Sequence, residues 1–129
     1  MPVITAISFN MQYGQTWDAL DPDNAPFDLS RTIEAIRAQN ADIVLLQELE
    51  QVVPEKGQIQ PPPNFSKLEA ALVEYHCYFS YPKEDATELP FGYGQAILSK
   101  TPLFDCQRFD LPAPDLTFVF EGEECSPTD

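Results

Sequence analysis

The sequence predicts an α/β domain: a βαβ-containing mixed sheet with flanking helices. Three observations carry this. A four-residue apolar run, Ile43-Val44-Leu45-Leu46, is preceded by a turn and ends abruptly in Gln47-Glu48, the pattern of a strand in a helix-covered parallel sheet. A second apolar strand opens the chain. Between the two lies a segment with helical apolar spacing, and strand, helix, strand in that order is a right-handed crossover between parallel strands. The 129 residues make room for one domain, 1–129,.

The first strand runs over Val3–Met11 and ends in Asn10. It carries apolar groups on both faces, so a central place in the sheet is expected. Gln12 to Pro26 is rich in Asp, Pro, Gly and Asn and reads as a loop long enough to be functional. The helix spans Leu29–Gln39, with Asp28 or Ser30 as N-cap and Asn40 as a left-handed C-cap. Leu29, Ile33 and Ile36 share one face. The Ile43–Leu46 strand follows, and its apolar run implies burial on both sides.

Leu49–Asn64 contains Pro54, Pro61, Pro62 and Pro63, predicting a stiff polyproline loop outside any helix. Ser66 and Glu69 fit a capping box, and Phe65, Leu68, Leu72 and Tyr75 mark a second amphipathic helix. His76–Tyr81 reads as a third strand and Gln95–Ser99 as a fourth, entered through Gly92 and Gly94. Phe104–Leu111 is expected to fold back as a hairpin. Leu116–Phe120 is strand-like, and Glu121-Gly122-Glu123-Glu124 reads as a solvated acidic end.

Seven Lys+Arg against 21 Asp+Glu give a net charge of −14. A surface this acidic repels polyanions, which disfavours long duplex nucleic acid and anionic membrane as partners. No apolar run approaches the ~20 residues of a membrane helix, and no signal peptide is visible, so a cytoplasmic location is expected. Cys77, Cys106 and Cys125 are widely spaced and read as free thiols rather than a zinc site or disulfide framework.

Asn10 and Glu48 end two parallel strands and therefore share the carboxyl edge of the sheet, where ligands bind in α/β folds. Three segments, in order, carry a resemblance: Ile7-Ser8-Phe9-Asn10, Ala41 through Glu48, and Gly94-Gln95-Ala96-Ile97-Leu98-Ser99 followed by Lys100-Thr101-Pro102. Together they resemble the endonuclease/exonuclease/phosphatase superfamily with its deoxyribonuclease I-like fold. The resemblance implies a four-layer α/β sandwich and hydrolysis of phosphate esters with Mg²⁺ or Mn²⁺. It implies Glu48 as the metal-binding carboxylate and Asn10 as a helper that holds metal or phosphate. Gln47 either orients Glu48 or simply ends its strand. Gln47, Tyr93 and Gln95 are candidate substrate contacts, with Gln95 standing where many members carry Asn. Tyr13, Trp17 and Phe91 flank the same edge as cleft or rim residues.

The family's Gly-Asp-x-Asn, Thr-His-Leu and Ser-Asp-His segments do not occur in this sequence. The one histidine, His76, sits within a strand and reads as structural, so no catalytic base is expected in this chain. The expectation is therefore the N-terminal half of a metal-dependent phosphoesterase (a nuclease, phosphodiesterase or phosphatase) carrying one metal half-site. Its alternatives are an inactive truncated homologue that binds a partner and one half of a split enzyme. An uncovered sheet face, open to a C-terminal half or to self-association, goes with each of these. Lys100 and Arg108 are further candidates for phosphate contact.

Overall fold

A computed structural model of the chain describes residues 1–50, 61–80, 94–109 and 117–125. Its main element is a four-stranded mixed sheet of β1 (Ala6–Asn10), β2 (Ile43–Gln47), β3 (His76–Phe79) and β4 (Gln95–Ser99), in spatial order β1-β2-β4-β3. β1 and β2 are parallel, joined by α1 (Leu29–Gln39), while β4 runs antiparallel to both β2 and β3. α2 (Pro63–Ala71) precedes β3.

Period-two alternation sorts the strand residues onto two faces. Ile7, Val44, Leu98 and Cys77 align across the sheet, as do Phe9, Leu46, Ala96 and Phe79. These rows face the helices. Val44, Leu46, Ala96 and Leu98 form one buried cluster with Ile33 and Ile36 of α1, Leu68 of α2, and Met11, Leu49, Leu72 and Tyr75. Phe65 stacks on Phe79 with ring centroids 4.8 Å apart. The opposite face carries Ser8, Leu45, Ile97 and Tyr78 in one row. Leu45 is 39% and Ile97 41% exposed.

α1 forms as its sequence dictates. The Asp28 carboxylate accepts from the Arg31 N–H, and Asn40 closes the helix with φ 47°. The Asn side chain makes that left-handed position tolerable. Arg37 is more than surface charge: it pairs with Glu34 and donates to the Ala71 carbonyl at 2.9 Å, tying α1 to the end of α2.

Several expectations are corrected. β1 starts at Ala6 rather than Val3 and, among the described residues, is an edge strand rather than a central one. Apolar residues on both of its faces do not distinguish edge from centre. β2 is buried on one face only, because nothing described covers Leu45. α2 begins inside the triple proline, with Pro63 at a position where the missing N–H costs nothing,. The capping box does not form: the Ser66 hydroxyl donates to the Pro62 carbonyl instead, and Tyr75 lies beyond the helix. β3 stops at Phe79. Residues 104–109 are irregular, and the rest of the expected hairpin lies outside the described residues. The acidic end is part of a hairpin of its own, β5 (Phe118–Phe120) and β6 (Glu123–Cys125), turning through Glu121 (φ 50°) and Gly122 (φ 88°). Two consecutive left-handed residues match the twist of a tight hairpin.

Candidate functional site

The carboxyl ends of β1 and β2 meet the amino end of β4. Asn10, Gln47 and Gln95 are register partners in one transverse row on the open face. Glu48 follows immediately, outside the ladder. Topology thus gathers the four sequence-predicted groups Asn10, Gln47, Glu48 and Gln95 at one corner. Tyr93 and Phe91 lie outside the described residues.

Backbone geometry at this corner is unusual. Glu48 has φ 51°, and Gln12 and Tyr13 have φ 42° and 58°. Each is a non-glycine residue in the left-handed region, which stores on the order of 1–3 kcal/mol and persists only where surrounding contacts enforce it. Those contacts are visible. The Met11 N–H donates to the Gln47 carbonyl at 2.9 Å, and the Tyr13 N–H to the Glu48 carbonyl at 2.9 Å. Gly14 (φ 88°) closes the turn against α1; a Cβ there would lie 3.3 Å from the Leu29 Cα.

The side chains divide into fixed and free. Asn10 Oδ1 accepts from the Gln12 N–H at 3.0 Å. The Gln47 amide donates to the Ser8 hydroxyl at 3.2 Å and to the Leu45 carbonyl. It is therefore engaged along its own sheet face rather than with Glu48. The half-buried Glu48 carboxylate makes no hydrogen bond or ion pair among the described residues.

Behind it, two residues that were not singled out from the sequence hold the corner together. Asn64, the second residue of α2, donates to the Leu49 carbonyl at 2.8 Å and to the Tyr13 carbonyl at 3.3 Å. The buried Glu50 carboxylate accepts the Phe65 N–H at 2.7 Å and so caps α2,. Burial pushes the Glu50 carboxyl above its ordinary range, against the amides of Phe65 and Asn64, which pull it down. An acidic residue three positions past the strand, followed by a proline-started helix, was the available clue to Glu50.

The other candidates lie elsewhere. His76 aligns with Ser99 at the far end of the sheet. Lys100 is there too, donating to Asn40 O at 2.8 Å and Asn40 Oδ1 at 2.7 Å, with Asp42 at 4.0 Å. It is a structural link and does not face Glu48. Arg108 donates to the Ser80 carbonyl at 2.9 Å. Trp17 is 81% exposed on the Gln12–Pro26 loop. That loop is ordered by a Gln15–Phe27 bridge and the bond from Thr16 N–H to Pro26 O. Cys77 is half-buried, its thiol pushed up to about 11 by desolvation, and reads as packing,. Among the described residues, no three His, Cys, Asp or Glu side chains converge to hold a metal ion. No described helix is long and apolar enough to cross a membrane.

A mixed α/β sheet with flanking helices is consistent with the deoxyribonuclease I-like superfamily fold. The chain belongs to the Endonuclease/Exonuclease/phosphatase family, whose model matches residues 7–123. The match covers nearly the whole chain and runs well past Pro102, where the segments that carry the resemblance in sequence end. No curated protein and no solved structure matches the chain.

Proposed function

We propose that this chain supplies the Glu48 half-site of a Mg²⁺- or Mn²⁺-dependent phosphate-ester hydrolase. The observation that carries the reading is the Glu48 carboxylate, unpaired among the described residues, at the same sheet corner as Asn10 and on a left-handed backbone. The donor set suits a hard cation: Mg²⁺ takes one or two carboxylates and completes its shell with waters and substrate oxygens. Glu48 would hold the ion and the Asn10 amide oxygen, which keeps an acceptor site beyond its bond to Gln12, would assist. Bound there, the metal would neutralise charge developing on phosphoryl oxygens. Gln95 and Gln47, on the same row, would meet a substrate's polar groups, Gln47 by giving up its bond to Ser8. The −14 charge favours a small phosphate ester over long duplex nucleic acid,.

A specific observation favours a second reading for the chain by itself. Its single histidine stands at the opposite end of the sheet from Glu48. The chain then acts as a binding module or as one half of a split site, the remaining base and carboxylates coming from a further polypeptide segment. On either reading the Leu45–Ile97 face is where the remaining layers of a four-layer sandwich would pack.

Thermal unfolding with increasing Mg²⁺ tests the half-site. The parent should gain stability, Glu48→Gln should lose that gain, and Asp105→Asn, an equal charge change on an exposed loop, should keep it. An equal Mg²⁺ response in Glu48→Gln and parent would remove the metal assignment.

A further inference from the structure

Beyond the last register pair, Asn10 with Gln47, the segments that follow β1 and β2 are tied by single bonds. The Met11 N–H donates to Gln47 O and the Tyr13 N–H to Glu48 O. Tyr13 and Glu48 are both left-handed, at φ 58° and 51°. Neither residue type favours that conformation by itself, so it is set by whatever grips these two short segments.

Asn64 grips both. It comes from α2, as the second residue of a nine-residue helix, and is half-buried. Its side-chain nitrogen donates to Leu49 O at 2.8 Å and to Tyr13 O at 3.3 Å. One carbonyl belongs to the residue after Glu48. The other belongs to the residue whose N–H the Glu48 carbonyl accepts. The amide thus closes a ring of contacts: Asn64 to Tyr13, Tyr13 to Glu48, Glu48 along the chain to Leu49, and Leu49 back to Asn64. Leu49 is fully buried, and its own N–H donates to Gly94 O at 3.3 Å. The start of α2 is anchored at the same place, since Glu50 accepts the Phe65 N–H at 2.7 Å. An asparagine amide offers two donors on one nitrogen, where a hydroxyl of similar reach offers one and a carboxylate none.

We propose that Asn64 is a positioning residue of the Glu48 half-site: its amide holds the turn that presents the Glu48 carboxylate to the metal. This role rests on the half-site reading and deepens it. The φ angle at residue 48 decides where its Cβ points, and a carboxylate aimed elsewhere loses its place beside Asn10. Asn64 acts through the backbone of Tyr13 and Leu49 alone. Groups that orient metal ligands from outside the coordination shell typically govern affinity by about ten- to a hundredfold.

The probe is Mn²⁺, titrated into the intact chain well below its unfolding transition, with the free ion followed by electron paramagnetic resonance. The parent should bind, and Glu48→Gln should bind far more weakly. Asn64→Ala should weaken Mn²⁺ by about tenfold or more. Asn64→Ser keeps one donor on a shorter arm; it should behave alike and serves if Asn64→Ala does not fold. Tyr75→Phe controls for lost stability alone. It deletes the bond from the Tyr75 hydroxyl to Ala41 O, 2.6 Å long and at the far end of the sheet, and should bind Mn²⁺ as the parent does. Parent-like affinity in the Asn64 variants, with Glu48→Gln still defective, would overturn the positioning role and leave the half-site standing. So would an equal loss in Tyr75→Phe, because affinity would then merely follow stability. Equal binding by the parent and Glu48→Gln would remove the half-site itself, and the positioning role with it.

Discussion

The two ends of the β1–β2 pair are built from similar residues and behave oppositely. At the amino end, Asp42 takes the Thr5 N–H at 2.8 Å and the Thr5 hydroxyl at 3.0 Å, while its own N–H donates to Thr5 O. Lys100 bridges Asn40 and Asp42, and the buried Tyr75 hydroxyl donates to Ala41 O at 2.6 Å. The polar groups there use each other up. At the carboxyl end, Glu48 is unpaired among the described residues, three non-glycine residues are left-handed, and the support comes from behind, through α2. One end spends its polar groups on the fold; the other holds them ready for something outside it. A region optimised for a ligand is expected to be less than optimal for stability.

The largest test of that contrast is Asn64→Ala. It strips donors from the Leu49 and Tyr13 carbonyls, and the cost should be about 2 kcal/mol in urea unfolding. A loss below about 0.5 kcal/mol would show that the strained turn stands without α2. Next is Glu48→Gly, which relieves a left-handed non-glycine residue. Stability without metal should rise by about 1 kcal/mol while the Mg²⁺ response disappears. Destabilisation by the same change would mean the carboxylate serves the fold after all.

Smaller effects come from pH, with opposite signs at the two ends. The Glu50 carboxyl is raised, so its protonated form is favoured in the folded chain. Its contribution is fully present below about 4.5 and declines as pH rises through the higher folded value,. Glu50→Gln should therefore gain on the parent as pH increases across that window. A difference flat with pH would contradict the shift. Asp42 is the smallest effect. The Thr5 N–H, then the Thr5 hydroxyl and Lys100, hold its carboxyl below 3.8. Its stabilisation is present above that value and fades as the pH falls further. Asp42→Asn should be less stable than the parent at neutral pH and converge with it in acid. Parallel curves would remove Asp42 from the acid transition.

Much of this contrast was legible in the sequence where its causes are local. α1 came with both caps, since Asp28 and Asn40 act within a few residues of the helix they bound. The crossover rule placed Asn10 and Glu48 on one edge, and register then added Gln47 and Gln95. What the sequence hid depends on partners far along the chain. Lys100 reaches Asn40 across 60 positions and reads alone as a phosphate-binding candidate. Glu50 is a cap only because Phe65 arrives beside it. β1, an edge strand among the described residues, passes for a central one because alternation records which residues are apolar, not how many neighbours a strand has.

The left-handed residue after β2 also fixes how long that strand can be. Val44 and Leu46 face the core, so two-residue alternation would send position 48 inward among them. Instead the backbone turns at Glu48 and the carboxylate stays half-exposed. Adding or deleting one residue within Ile43–Gln47 would leave an acidic side chain and an apolar one exchanging places. Substitutions along β2 should thus be tolerated far more readily than insertions or deletions, because β2 works as a spacer of set length between the core and the carboxylate.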